Sequence, residues 1–493
     1  MKQIKMSLKG VLKGIKILKN TVPYKTKIKG IASDSRKVKE GYVFVAIKGE
    51  KRNGNDYIEE AIKNGAVAII TEEYADVSPK ICVDDARKSL SLLWRNFYKN
   101  PAKRMKVIAI TGTNGKTSTA YLLHSILNKA KKRVGLISTI SIEINCVKVE
   151  SNGGSEVLDI PSAMTTPDPE ILYKNIYNMK KSGIKYLIME SSSHGIAQKK
   201  LYGIKPYICA FTNLSREHLD FHKNMREYYL TKRQLLLASK YKIVNIDDEY
   251  GKEFYSENLS AKSISISKNA DFRCKKTTKT DTGSNYLIEY CKKQLVVESK
   301  LIGDFNAYNI LMAFACSKML KIKDKFIAEG IKFCKKIKGR MERYKDKDIF
   351  IDFAHTPFAM ENILRTVRQQ FSSKHIKLLF GCGGDRDRSK RKEMGRIASL
   401  YSDELIITSD NSRSEDPKKI IDEILTGVNE KIKKTIIVDR KEAIIFAVRD
   451  MSQNEILLLL GKGHETYEIN KFGKTHFDER EIIDEALNAS DTY

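Results

Sequence analysis

An apolar run that ends in two spaced glycines and a Gly-Lys-Thr triplet, Ile108 to Ser118 (IAITGTNGKTS), leaves little freedom in its local geometry. The run from Met105 to Ile110, broken only by Lys106, reads as a buried strand, and Ala120 to Lys131 reads as the helix that follows it. Gly112 and Gly115 let the backbone turn tightly and bring its N–H groups near an anion, and the helix start adds partial positive charge. Lys116 can then reach the outer phosphates of a nucleotide, and Thr117 can offer a hydroxyl to Mg²⁺. A full Walker A pattern would place a glycine where Ile110 stands, so an ordinary glycine turn is the alternative. Gly-Lys-Thr at this junction favours nucleotide binding.

At 493 residues the length suits about three domains, each able to bury a core. Hydrophobic residues make up 41% and charged residues 30%, the balance of a soluble globular enzyme or a large binding protein. The formal net charge of +28 has two readings. One is a basic face for nucleic acid. The other is lysine spread over every solvated face, and it is preferred because no long Lys/Arg block interleaved with aromatics occurs. The eight cysteines are scattered without a Cys-x-x-Cys pair, which points away from a zinc knuckle or redox motif and towards free thiols in a reducing cytoplasm. No apolar stretch is long enough for a signal-peptide core or a membrane span, so neither secretion nor membrane insertion is expected.

The expected fold class is α/β in three domains. Residues 1–98 form a small N-terminal α/β domain, with strands over Tyr42–Ile47 and Ala66–Ile70 and a helix over Tyr57–Asn64 closed by Gly65. Within it, Asp34-Ser35-Arg36 reads as a turn. Residues 99–337 form a central P-loop-type ATPase domain with a mostly parallel sheet. There, Met164-Thr165-Thr166-Pro167 reads as the lead-in turn of a helix over Glu170–Ser182. The strand Tyr186–Met189 delivers Glu190 and His194 at its carboxyl end, where open parallel sheets carry ligand chemistry. Glu190 either faces a phosphate-bound cation or caps the next helix.

The strand Ile208–Phe211 leads into a polar cluster in which His218 and His222 stand one helical turn apart. A zinc pair would lack a third ligand of recognisable spacing, so a hard-cation nucleotide site accounts better for His218, with His222 and Asp220 packing or solvated. Asn306 and Asn309 open a helix running to about Leu320; capping is preferred over contact with a base edge. Residues 338–493 alternate strand and helix from Ile349 to Leu460, which gives a C-terminal Rossmann-like domain. Polar or glycine-rich runs follow successive strands at Ala354–Pro357, Gly381–Asp387, Ser409–Arg413 and Gly461–Glu465. Four such loops at one sheet edge form a pocket.

Taken together, GTNGKTS, TTP, E-x-S-S-H-G, T-N-L-S-R-E-H-L-D, G-x-F-N-x-x-N, G-R-M-E, D-x-A-H-T-P, G-C-G-G-D-R-D and G-K-G-H-E, in this order and over nearly the whole chain, resemble the Mur ligases of peptidoglycan synthesis. The likeness is greatest to the branch that adds the third amino acid. The resemblance implies ATP-dependent amide synthesis: a carboxylate of a UDP-N-acetylmuramoyl dipeptide takes the γ-phosphate of ATP, and an amine then displaces phosphate from the acyl phosphate. It implies ATP contacts from Gly112, Thr113, Asn114, Gly115, Lys116, Thr117, Ser118, Asn306, Asn309, Arg340, Asp352 and His355. It implies Mg²⁺ held by Thr117, Glu190, His218 and a carbamylated Lys232, with Lys116, Glu190, His218 and Lys232 as the catalytic set. Without the resemblance Lys232 would read as a solvated helix lysine.

The nucleotide sugar is implied at Ser35, Thr165, Thr166, Ser192 and Lys200, the last standing where relatives often carry arginine. The amino acid is implied at Arg386, Asp410, Asn411, Arg413, Gly461 and Glu465. Asp410-Asn411-Ser412-Arg413 resembles the D-N-P-R element of the meso-diaminopimelate-adding enzymes, whose arginine pairs with the extra carboxylate. Ser412 in place of proline is expected to relax that loop, which keeps lysine and ornithine as alternative substrates. D-alanyl-D-alanine-adding and folylpolyglutamate enzymes share the phosphate loop but not the third-segment loops. A nucleic-acid-stimulated ATPase is the alternative from another class. The resemblance further implies small-molecule substrates, no nucleic-acid or membrane partner, a monomer and a cytoplasmic site.

Overall fold

The computed structural model describes residues 6–49, 52–73, 79–146, 156–161, 164–280, 283–334, 336–345 and 347–490. They fall into two compact units, each discontinuous in sequence. The first takes in Met1–Thr111, Lys132–Ala210 and Thr231–Lys242; the second takes in Gly112–Lys131, Phe211–Leu230 and Ile243–Tyr493. The phosphate-loop glycines therefore open a segment of the second unit.

The first unit begins with a five-stranded sheet in the order Ile17–Asn20, Lys80–Val83, Ala66–Thr71, Tyr42–Val45, Gly30–Ala32. All neighbours are parallel except the first pair. Asp34-Ser35-Arg36 is a turn, as the sequence indicates: Asp34 caps a short 3₁₀ helix over Ser35–Lys37 by accepting from the Arg36 N–H. The helix expected over Tyr57–Asn64 is shorter, Ile58–Lys63, because a 3₁₀ turn over Gly54–Tyr57 precedes it. The same unit carries the parallel strands Val134–Ile137, Tyr186–Glu190 and Lys106–Thr111. An antiparallel hairpin, Ser141–Cys146 with Glu156–Pro161, extends them. Val107 to Ile110 are all within 1% of complete burial, as expected for a parallel strand covered on both faces.

In the second unit, helices Lys116–Lys129, Asn306–Met319 and Asp324–Lys332 pack together. Gly330 permits the closest of these approaches, since a Cβ there would overlap the Ile126 backbone. Strands Phe272–Thr280, Gly283–Tyr290 and Lys293–Ser299 form an antiparallel meander whose first strand also pairs in parallel with Lys262–Ser265, so the mostly parallel sheet expected from sequence carries an antiparallel end. The reason is local: the second half of the first strand, Lys275–Thr280, is Lys/Thr-rich and exposed at every residue, a pattern that antiparallel sheets tolerate and covered parallel ones do not.

The last third forms a six-stranded sheet in the order Glu342–Arg343, Ile349–Asp352, Glu455–Leu460, His375–Phe380, Glu404–Ile407, Lys433–Ile436. Only its first pair is antiparallel, so the doubly wound expectation holds. Its register aligns Asp352 with Leu460, Leu460 with Phe380 and Phe380 with Ile407. The four polar loops read from the sequence therefore leave the sheet side by side at its carboxyl edge. At that edge Arg440 and Glu479, both wholly buried, pair at 2.7 Å, and Arg440 also donates to the Ser409 and Leu460 carbonyls. At the opposite edge the buried Lys377 is ringed by Asp450, Glu455 and Glu404.

His124, in the helix Lys116–Lys129, is almost fully buried, and burial lowers its pKa to about 4. The unfolded chain takes up this proton near pH 6.5 and the folded chain only near the lower value. Stability should therefore fall as pH drops through that window, by about 3 kcal/mol from this group alone. His124→Leu should lose less stability than the wild type between pH 7 and 4.5, as read by urea unfolding.

Candidate active site

The phosphate loop is shaped by close backbone approach. Gly112 and Gly115 have φ of +141° and +82°, and Gly115 starts the helix Lys116–Lys129. A Cβ on Gly112 would overlap the Thr212 hydroxyl, and one on Gly115 would overlap the Asn309 amide oxygen. The loop is braced by the segment after the strand Ile208–Phe211. The Thr113 N–H donates to the Asn213 carbonyl at 2.8 Å, and the Asn114 N–H donates to Asn213 Oδ1 at 3.0 Å. The Thr212 hydroxyl donates to the Asn114 carbonyl at 2.7 Å, and the Ser215 N–H donates to Thr113 Oγ1 at 3.0 Å. Sequence reasoning quoted these residues but gave Thr212, Asn213 and Ser215 no task; their adjacency to a strand end was the available signal.

Lys116 folds back over the loop, with Nζ donating to the Gly112 and Thr113 carbonyls at 3.1 and 2.7 Å. Thr117 is buried, and Arg340 Nη2 donates to its hydroxyl at 3.2 Å. Arg340 also lies over the Phe353 ring, 4.8 Å from its centroid. Asn306 and Asn309 abut the loop, but capping is not their role. The helix starts at Asn306 with Phe305 as its cap residue; Asn306 Nδ2 turns back to the Ile302 carbonyl at 2.8 Å, and Asn309 Nδ2 donates to Asn306 Oδ1 at 2.9 Å.

A buried carboxylate sits next to this group. Glu217 Oε1 lies 3.1 Å from His355 Nε2, and Oε2 lies 3.6 Å from His218 Nε2. Burial opposes ionisation of Glu217, yet His218, His355 and Lys116 outweigh it and hold the carboxyl well below the usual range. His218 itself has a left-handed backbone, φ +58°. His222 is buried and packs on Tyr228 with ring centroids 5.0 Å apart, and Asp220 accepts from Arg386 Nη1 at 3.4 Å. Asp352 turns its two oxygens to the Met341 and Ala354 N–H groups, each at 2.7 Å. It thus anchors the turn that carries Arg340.

The Ser409–Arg413 and Gly461–Glu465 loops form one pocket wall. Asn411 Nδ2 donates to Glu465 Oε2 at 2.8 Å, and the Tyr467 hydroxyl reaches Glu465 Oε1 at 3.2 Å. Burial, then the neighbouring Asp410, push the Glu465 carboxyl up. Gly461, at φ +116°, leaves room for Asp410, whose Oδ2 would be 2.8 Å from a Cβ there. Arg413 has φ +51°, and its Nη1 donates to the Gly384 and Asn411 carbonyls at 2.8 and 3.2 Å. Contacts from outside the loop stand against the relaxation expected from Ser412. The loop is stapled from outside by a hairpin, Tyr467–Asn470 with Gly473–His476, through the Arg413 N–H to the Ile469 carbonyl at 3.0 Å and the Ile469 N–H to Asn411 Oδ1 at 2.9 Å.

In the first unit Glu190 is wholly buried and accepts from the Thr139 N–H and hydroxyl, each at 2.9 Å. The cap of the next helix is Ser192, whose hydroxyl accepts from the Gly195 N–H. The lead-in-turn reading of Thr165 and Thr166 also gives way. Asp168 stands at the helix start and makes no side-chain capping bond, whereas Thr165 lies 3.0 Å from the Thr139 hydroxyl and Thr166 accepts from the Ser192 N–H at 2.9 Å. Lys200 pairs with Asp168 at 2.8 Å, and the Ser35 hydroxyl donates to Glu60 at 2.6 Å. Lys232, in the helix Met225–Ala238, is 1% exposed, so it is not a solvated lysine.

Three family models match this chain: the Mur ligase family catalytic domain over residues 27–98, the Mur ligase middle domain over 110–317, and the Mur ligase, glutamate ligase domain over 339–463. A UDP-N-acetylmuramoyl-L-alanyl-D-glutamate–2,6-diaminopimelate ligase of Caldanaerobacter subterraneus is 40% identical over 99% of this chain and 100% of its own length. The chain belongs to the Mur ligase family. It is thus an ATP-dependent, amide-bond-forming ligase with the three-domain Mur ligase fold. The Clostridium perfringens ligase of the same name is 39% identical to this Mur ligase over 98% of the chain and 99% of its own length. A solved structure of a ligase of that name aligns with a TM-score of 0.68 and 27% identity over 99% of this chain and 100% of that one. The MurF ligase of Thermotoga maritima, solved in complex with ADP, shares the fold at a TM-score of 0.60 and 18% identity, covering 93% of this chain and 96% of that one.

Adding a methyl group to Gly115 forces Asn309 and the loop apart. Gly115→Ala should weaken ATP binding roughly tenfold or more while leaving the far-ultraviolet circular dichroism unchanged; calorimetric titration with a non-hydrolysable ATP analogue reads the affinity.

Proposed function

We propose that this Mur ligase joins meso-2,6-diaminopimelate to the D-glutamate of UDP-N-acetylmuramoyl-L-alanyl-D-glutamate. The observation that carries the reading is the buried, stapled loop Asp410–Arg413 beside Glu465. A diamino acid with two carboxylates presents one amine to the reaction and leaves a carboxylate and an ammonium at its far end. The guanidinium of Arg413 suits that carboxylate, and Asp410 and Glu465 suit the ammonium. Arg386 and Gly461 complete the proposed amino-acid contacts.

In the reaction the D-glutamate carboxylate attacks the γ-phosphorus of ATP, the bond to the β,γ-bridging oxygen breaks, and ADP leaves. The amine then attacks the acyl carbon, loses a proton, and expels phosphate. Most of the work is positioning and neutralisation of charge. The Gly112–Ser118 N–H groups and Lys116 cradle the phosphates, and Arg340 meets them beside Thr117. Asn306 and Asn309 face the nucleotide, Asp352 holds the Arg340 turn, and His355 stands in the same wall. Ser35, Thr165, Thr166, Ser192 and Lys200 bind the nucleotide sugar.

Mg²⁺ is a hard cation that takes oxygen donors and keeps waters, which a buried hydroxyl and carboxylates would supply, with one imidazole as the softer member of the set. Thr117 and His218 are proposed ligands, with Glu190 and a carbamylated Lys232 as the further ones expected from the family pattern. Bound there, the cation offsets phosphate charge as it moves between oxygens. Lys232 is buried, and a lysine takes up CO₂ as N6-carboxylysine only through its uncharged form. Domain limits at 1–98, 99–337 and 338–493 follow the proposed division of labour between sugar, ATP and amino acid. The protein is proposed to act as a cytoplasmic monomer on small molecules, with neither nucleic acid nor membrane as partner. Among the described residues no helix is long and apolar enough to cross a membrane.

Incubation with ATP, Mg²⁺, the UDP-muramoyl dipeptide and, separately, diaminopimelate, lysine or ornithine tests the reading by product mass. Only diaminopimelate should add, and Arg413→Ala should lower its kcat/KM about a hundredfold. Equal use of lysine overturns the choice of substrate. Lys232→Ala should slow turnover by roughly two orders of magnitude, with partial recovery in added acetate if a carbamate has been lost.

A further inference from the structure

We infer that Lys462 is the positioning residue of the amino-acid pocket, locking Asn411 and the hairpin Tyr467–His476 around Glu465 and Arg413. The inference rests on the reading of that pocket given above.

Lys462 follows Gly461 at the end of the strand Glu455–Leu460, and its side chain is wholly buried. A buried ammonium needs acceptors. Its Nζ donates to Asn411 Oδ1 at 3.1 Å and to the Tyr467 carbonyl at 3.0 Å, lies 3.7 Å from Asp410 Oδ1, and sits 5.1 Å from the Phe477 ring centroid. These partners come from the loop after the strand Glu404–Ile407 and from both ends of the hairpin.

The contacts fix the Asn411 amide in one orientation. Its oxygen accepts from two groups that can only donate, the ammonium and the Ile469 N–H, so its nitrogen must face Glu465. Tyr467, whose carbonyl Lys462 holds, directs its hydroxyl to the other Glu465 oxygen. Ile469, whose N–H meets Asn411, returns its carbonyl to the Arg413 N–H. Each group assigned to the far end of the amino acid is thus tied to Lys462 or to one of its direct partners.

Charge points the same way. Asp410 is buried and Glu465 half-buried, and Asp410 disfavours ionisation of Glu465. Burial works against a charged Asp410, and Lys462 is the foremost group that opposes this; it also favours the charged form of Glu465. Removing the ammonium would free the Asn411 amide to flip and leave the two carboxylates poorly balanced.

Two variants test this, Lys462→Met and Ile469→Pro. Ile469 lies opposite Lys474 in the hairpin and sends its N–H to Asn411, so proline at that position removes the same constraint without touching the core. The readouts are kcat, the KM for meso-diaminopimelate and for ATP, and acyl phosphate trapped with hydroxylamine from ATP and the UDP-muramoyl dipeptide in the absence of amino acid. Both variants should raise the KM for diaminopimelate roughly tenfold or more, while the ATP KM and the trapped hydroxamate stay within about twofold of wild type. An unchanged diaminopimelate KM overturns the inference, and so does a parallel loss of acyl phosphate. Should Lys462→Met not fold, Ile469→Pro decides alone. A wild-type enzyme that traps acyl phosphate but adds no diaminopimelate defeats the parent reading; a wild-type adduct with unchanged variant KM defeats only the role of Lys462.

Discussion

Carboxylates drawn inside the second unit face a cationic side chain, an imidazole or a pair of backbone N–H groups. Glu217 has His218, His355 and Lys116 around it; Asp410 has Lys462 and Arg440; Glu479 has Arg440; Asp352 has two amides. A buried charge left without such a partner costs several kcal/mol. The pairs are therefore poor devices for adding net stability and good ones for excluding alternative arrangements. A loop that drifted would strand a charge.

The parallel register of the last sheet makes this economy possible. Asp352, Leu460, Phe380 and Ile407 end their strands in line, so four loops rich in charge meet at one edge without long excursions. Arg440 closes that edge from beneath, taking the Ser409 and Leu460 carbonyls that would otherwise end their strands unpaired. The charged groups above can then be rigid even though they sit on loops.

Much of this was legible in the sequence. Hydrophobic alternation located the strands and helices between Ile349 and Leu460 to within about five residues, because most are periodic and bounded by turn residues; the hairpin Tyr467–His476 and the helix Glu479–Ser490 beyond them were not read. The phosphate loop was legible because its glycines answer to a steric demand. What escaped was set by tertiary contact. The meander Phe272–Ser299 drew no reading from the sequence, because its first strand is Lys/Thr-rich and exposed over its second half and is held by its partner strand. Asn306 looks like a cap until the helix begins one residue earlier than capping requires. Ser412 looks like a loosened proline until Ile469 arrives from more than fifty residues away to hold its neighbours. Lys462 was hidden inside a quoted motif, since nothing local distinguishes a buried lysine from a solvated one.

One segment, Thr212–Asp220, explains why so many polar residues run together. Its first half grips the phosphate loop: Thr212, Asn213 and Ser215 satisfy the backbone and side chains of Thr113 and Asn114. Its second half faces the loops of the last sheet: Arg216 donates to Ser389, Glu217 meets His355, and Asp220 receives Arg386. A chain that must hold a nucleotide against one set of loops and an amino acid against another needs a rigid bridge between them. A continuous stretch supplies it most simply, because covalent geometry fixes the spacing of its two faces. The left-handed turn at His218 re-aims the backbone within the second half, between Glu217 and Asp220, and the strain of that conformation is borne where the contacts on either side already determine the path.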